Sequence, residues 1–189
     1  MPHAILPPPP ISPIFAPISH ADRACSPYPE ETLSPGGLAL QQRVINSQPA
    51  FNLALGGPAA LSLGAIRQDA EAVLAAGGRY LVIRRQQEVV GIAHLLANNP
   101  FDKHPWIGLL VIDSEMAGKG VGRNAVSQLC HHLTRLNPAP VRLCVQLSNP
   151  AALAFWQRCG FEQIEEDLDE ENRPIAILQA IPHNGANPR

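Results

Sequence analysis

Gly118-Lys119-Gly120-Val121-Gly122, flanked by Ala117 and Arg123, is the run of residues best suited to chemistry in this chain. It lies between an apolar stretch ending at Ile112 and a segment whose apolar residues, Val126, Leu129, Cys130 and Leu133, recur at helical spacing. A strand, a glycine loop and a helix in that order bring unpartnered amide donors and the positive end of a helix to one spot. That is an anion site of the kind that holds phosphate. Glycine keeps the backbone approachable there, and it equally suits a tight turn with positive φ. Two well-known phosphate loops do not fit. A Walker loop places Ser or Thr after Gly-Lys, and here Gly120 follows Lys119. A dinucleotide loop expects an acid about 20 residues on, and Pro138 to Leu147 holds none.

Among titratable residues, His94 shares the alternating face of a strand with Val90, Ile92 and Leu96, and an ordinary pKa near 6.5 suits a proton acceptor. A half-buried structural histidine reads the same way. Asp102 and His104, on the loop entering the next strand, are the other candidates, against the plainer reading of a solvated loop. The central strand Trp106 to Ile112 carries no carboxylate, so a water chain with no single base stays open. Cys25, Cys130, Cys144 and Cys159 form no CxxC pair and have no suitably spaced histidines. The expectation is reduced thiols, no metal site and a cytoplasmic protein.

The positioning elements follow from periodicity. From Leu38 the pattern turns helical, and Ile66, Ala70, Val73 and Leu74 mark a second helix closed by Gly77-Gly78, so two helices are expected ahead of the sheet. Tyr80 to Arg84, Val89 to Leu96 and Trp106 to Ile112 read as three strands of an antiparallel meander. The helix after the glycine loop leads to a strand from Val141 to Leu147, which makes a parallel crossover. Asn149, Pro150 and Gly160 punctuate a further helix as N-cap, first position and left-handed stop. Phe161 to Leu168 and Ile175 to Ile181 form a closing hairpin.

Composition sets the outer limits. With 189 residues, 46% of them hydrophobic, the chain is sized for one packed domain. Ten of its twenty prolines precede Gly36, so residues 1 to 35 read as a tail, with Ile11 to Ile18 a candidate edge strand. The domain is expected over residues 36 to 182, with a short tail over 183 to 189. A formal charge of −2 without charge runs argues against nucleic acid or an anionic membrane as partner. The proline-interrupted start does not read as a signal peptide, and no segment is long and apolar enough to span a bilayer.

Two blocks then carry a family resemblance. Ala117 to Gly122 resembles the cofactor loop of the GNAT superfamily of acyltransferases, with Gly120 and Gly122 matching and Ala117 standing where that family usually has Gln or Arg. Asn149 to Phe161, an Asn-initiated helix ending in an aromatic residue and Gly-Phe, resembles the family's second block. The resemblance extends less specifically from about Leu38 to Ile181. It implies an α/β (α+β) GNAT fold, a mixed, mostly antiparallel sheet of six or seven strands flanked by helices, with a βαβ cofactor unit. It also implies a coenzyme A cleft where the strand ending at Ile112 splays from the one ending at Leu147. Leu110 and Ile112 would then offer backbone groups to the pantetheine arm. Amides of Gly118, Lys119, Gly120, Val121, Gly122 and Arg123 would hold the pyrophosphate, and Asn149 would touch the arm from the other side.

The implied reaction is acetyl transfer from acetyl-CoA to an amine of a small molecule or peptide by direct attack, with no metal and with a homodimer also allowed. Many members use a tyrosine to protonate the leaving thiolate, at the position matching Trp156, whose indole donates a hydrogen bond but no proton near neutral pH. Acid help is optional, because a thiol with a pKa of about 8.5 leaves readily. Two other readings stay open: a non-catalytic acyl-CoA-binding module, and a nucleotide-binding protein using the same loop.

Overall fold

The computed structural model describes residues 32–85, 88–169 and 171–180. The edge strand expected within Ile11 to Ile18 and the C-terminal tail lie outside them, as do Cys25 and Tyr28. Helix α1 (Pro35–Asn46) starts with Pro at its first position and Ser34 as its cap, the Ser34 hydroxyl accepting from the Gly37 N–H at 3.0 Å. Ahead of the sheet the sequence pattern predicts two helices, and the described residues contain three: α1, α2 (Pro49–Ala54) and α3 (Leu63–Ala75). Pro49 explains the extra one, since it cannot continue α1 but suits the first turn of a new helix. Helix α3 ends before Gly77, whose φ of 77° favours glycine.

Among the described residues the sheet has six strands: β1 (Arg79–Arg85), β2 (Glu88–Leu96), β3 (Trp106–Ile112), β4 (Arg142–Gln146), β5 (Phe161–Leu168) and β6 (Pro174–Ala180). They are ordered β1-β2-β3-β4-β6-β5, with every neighbour antiparallel except β3 and β4. This is the mixed, mostly antiparallel sheet expected. Helix α4 (Val121–Leu136) makes the crossover from β3 to β4, and α5 (Pro150–Arg158) follows β4. Strands β3 and β5 have the bounds the sequence predicts.

Helices α1, α3, α4 and α5 contribute to one core with the sheet. Val44, Ile45, Ile66, Val73, Leu129, Leu133 and Trp156 pack with Ile92, Leu143 and Leu178. Each such aliphatic side chain withdrawn from water contributes about 1.5–3 kcal/mol before chain entropy is subtracted. No helix among the described residues is long and apolar enough to cross a membrane.

Candidate active site

The central strand opens away from its neighbour. The N–H of Asp113 donates to the carbonyl of Val90 at 2.8 Å, and Val111 and Leu109 pair with Ile92 and His94. Partner-facing residues alternate in an antiparallel ladder, so Val111 and Asp113 direct their polar groups at β2. Leu110 and Ile112 therefore direct theirs toward β4. Yet β3 and β4 share one register pair, Trp106 with Arg142, backed by an Arg142 N–H bond to the Pro105 carbonyl at 2.8 Å. Beyond that pair the strands splay, and the backbone edge of Leu110 and Ile112 lines the gap.

The glycine loop begins at the open end of that gap. Asp113 caps a 3-10 turn (Ser114–Met116) through its side chain, and Ala117 follows, exposed, with extended backbone. Gly118 and Gly120 have φ of 72° and 76°, and a Cβ on either would meet nothing within 4 Å. The glycines are thus fixed by backbone conformation, and the space beside them is clear. Gly120 is the N-cap of α4, without a side-chain cap and without an acid in the first turn. The first amides of α4 therefore have no internal anion to satisfy them. Lys119 and Arg123 are both exposed beside them. Gly122 serves packing instead, for a Cβ there would lie 3.2 Å from the Phe155 ring. Arg85, from the end of β1, reaches the turn that leads into this loop, its guanidinium 4.0 Å from the Met116 sulfur.

Across the gap, Asn149 caps α5, its Oδ1 accepting from the Ala152 N–H at 3.0 Å. Trp156 is a core residue, packed edge-to-face between Phe155 and Phe161 at 5.2 and 5.3 Å. His94 lies on the face with Ile92, as its alternation predicts, but its ring is wedged between the backbones of Gly78 and Gly108. Both its nitrogens are buried without a hydrogen-bond partner, and burial lowers its pKa to about 3. The arrangement encloses the nitrogens and presents neither to the gap. Asp102 and His104 sit at the closed end of the splay. The Asp102 carboxylate accepts from the Trp106 indole at 2.9 Å and from Arg142 at 3.0 Å, and His104 Nδ1 is 2.9 Å from the Pro140 carbonyl oxygen.

Several site-adjacent residues have no signature in the sequence. Gln48 donates its amide to the Ile112 carbonyl at 2.9 Å, and Arg43 pairs with Asp113 at 2.6 Å. These contacts join residues 64 and 70 positions apart. At the tip of β4, Gln146 donates to Asp169 at 2.7 Å, and Arg173 binds Asp169 and the carbonyl of Leu55. Among the described residues no cluster of His, Cys, Asp and Glu could hold a metal.

Comparison with known proteins agrees with this fold. A crystal structure of an acetyltransferase from Thermus thermophilus superposes with a TM-score of 0.63 at 21% identity, over 83% of this chain and 96% of that one. Ribosomal-protein-alanine N-acetyltransferase from Brucella melitensis gives 0.60 at 19% identity, over 84% and 98%. The spermidine N-acetyltransferase of Vibrio cholerae, in complex with CoA and spermine, gives 0.61 at 16% identity, over 77% and 90%. In sequence, the uncharacterized protein YkzC of Bacillus subtilis (strain 168) is 27% identical over 101 residues, 53% of this chain and 70% of that protein. Residues 53–161, more than half of the chain, match the family model described as acetyltransferase (GNAT) family. The chain belongs to the acetyltransferase (GNAT) family.

Proposed function

We propose that the protein is an N-acetyltransferase that moves an acetyl group from acetyl-CoA to a primary amine by direct attack. The observation that carries this reading is the gap between β3 and β4, with the glycine loop at its open end. The residues present fit coenzyme A. Clear space beside Gly118 and Gly120 admits a pyrophosphate to the amides of Gly118 and of Gly120 to Arg123, the Lys119 N–H being held by the Met116 carbonyl at 3.3 Å, and the Lys119 and Arg123 side chains supply counter-charge. Leu110 and Ile112 offer a strand edge to the pantetheine arm, and Asn149 flanks it from the α5 side. The small Ala117 leaves a side-chain contact to be made by another residue, and Arg85 is placed near enough to the loop to make it.

When bound, acetyl-CoA supplies the activated acyl carbon; the protein supplies position and polarity. Burial raises the thiol pKa of Cys130 to about 11, that of Cys144 to about 12 and that of Cys159 as well, so none of the three offers a thiolate. This supports direct attack by the amine over an acyl-enzyme formed on any of these three cysteines. With His94 enclosed and Trp156 in the core, water takes the amine's proton. Positioning supplies about 7–11 kcal/mol, against about 3–5 from a general acid, so the larger contribution survives without one. Among the neighbours one carries spermine in its structure and another is named for a ribosomal-protein alanine, so a polyamine and an alanine-initiated peptide are the first acceptors to try.

Titration calorimetry with coenzyme A and a thiol-release assay with each amine test the proposal. No heat with coenzyme A rejects it. Enclosure of both His94 nitrogens favours a second reading, a non-catalytic acyl-CoA-binding module, which binding without thiol release across a broad amine panel would select.

A further inference from the structure

We propose that Gln48 is a built-in competitor for the cofactor's arm: in the free protein its carboxamide holds the strand-edge carbonyl that an amide N–H of the pantetheine arm needs. The inference rests on the coenzyme A reading above. Ile112 directs its carbonyl away from β2, into the gap where β4 has already diverged. A carbonyl left there without a donor is costly, and Gln48 Nε2 satisfies it at 2.9 Å.

The backbone around Gln48 is pinned to the tip of β3. Arg43 donates to Asp113 and to the Val89 carbonyl, and the N–H of Ser114 donates to the Ser47 hydroxyl at 3.1 Å. The carbonyl of Gln48 itself accepts from Phe51 and Asn52 at the start of α2. Its side chain, by contrast, has three rotatable bonds and is half-buried, so the amide can turn away while the helices stay in place. A glutamine amide and the arm's secondary amides are the same kind of neutral donor. Exchanging one for the other changes little energy, but the bond made only in the free state is subtracted from the binding.

A hydrogen bond of this kind contributes about 0.5–1.5 kcal/mol, so its removal should tighten binding about two- to thirteenfold. The test uses Gln48→Met, which keeps length and loses the donor, and Gln48→Ala. Each is titrated with coenzyme A and with adenosine 3′,5′-bisphosphate, which has phosphates and no arm. Tighter coenzyme A with unchanged bisphosphate supports the proposal. Unchanged or weaker coenzyme A, or an equal gain for both probes, overturns it. Should both variants fail to fold, the wild type still decides: its Gln48 side-chain amide resonances must move toward solvent values on adding coenzyme A, and their staying put overturns the proposal. A wild type that binds neither probe rejects the cofactor reading itself, and this inference with it.

Discussion

Gly108 makes room for His94: a Cβ at Gly108 would fall inside the imidazole, 2.6 Å from its Cε1. The register between β2 and β3 shifts at this place, His94 pairing with Leu109 and Leu95 with Ile107, so Gly108 is the unmatched residue of a bulge. Gly78 closes the other side, with a Cβ there 2.5 Å from Nε2. Gly108→Ala should therefore destabilise the fold by about 1–3 kcal/mol, the usual cost of overpacking a filled site. In a His94→Ala background the same substitution should cost much less, which a double-mutant cycle by urea unfolding will show. Additive effects would mean that the ring and the glycine are independent.

A buried neutral histidine also gives the stability a predicted pH dependence. The pKa of His94 is about 3 folded and near 6.5 unfolded, so between those values the unfolded chain binds the extra proton. Its contribution is complete above pH 6.5 and is lost as pH falls toward 3, by about 1.4 kcal/mol per unit. His94→Gln should flatten that limb of a Tm-against-pH curve while turnover stays near that of the wild type. A hundredfold drop in turnover with unchanged acetyl-CoA affinity would instead make the ring the amine's base.

At Gly120 conformation and ligand access can be separated. Ala at a φ of 76° costs about 1–2 kcal/mol of backbone strain but meets no atom, so Gly120→Ala should fold and bind coenzyme A more weakly. Gly120→Glu adds a charge where the proposed site would hold phosphate and should abolish binding while the circular dichroism spectrum persists. Undiminished affinity in the Glu variant would remove the loop from the cofactor site.

Asn149 caps α5, and the contact with the cofactor arm proposed for it can be told apart from that cap. Asn149→Ala should cost about 1 kcal/mol through loss of the cap on α5, and Asn149→Asp should restore it, since Asp caps as well as Asn. If the carboxamide also donates to the cofactor arm, coenzyme A affinity falls several-fold in both variants; a fall in Ala alone reduces the residue to a cap.

Sequence and structure agree best where the signal is local. Asn149, Pro150 and Gly160 delimit α5 because capping and positive φ are properties of a few adjacent residues, and Gly160 has a φ of 89°. Trp106 to Ile112 is visible as a strand for the same reason. Helix α2 escapes notice because six residues are too few to establish a helical period. The alternation of β2 gives the face of His94, but not what covers it, which depends on Gly78 and on the bulge at Gly108. A glycine inside a strand is a recognisable hint of such a bulge. The hold of Gln48 on Ile112 has no local trace at all, because a polar contact across 64 residues exists only once the topology does.

The lone pair of Trp106 with Arg142 makes the closed end of the sheet a hinge pin, reinforced by Asp102 on both residues and by Gln179 on the Arg142 guanidinium at 2.9 Å. From there β3 runs to Ile112, about 20 Å at roughly 3.3 Å per residue, so it is a lever as well as a wall. A rotation of about one degree at the pin displaces the strand tip by about 0.3 Å over that arm. Misplacement of about 1 Å between reacting groups can cost about a hundredfold in rate. Asp102 and Gln179, at the closed end, thereby help set the width of the opening at the far tip of β3.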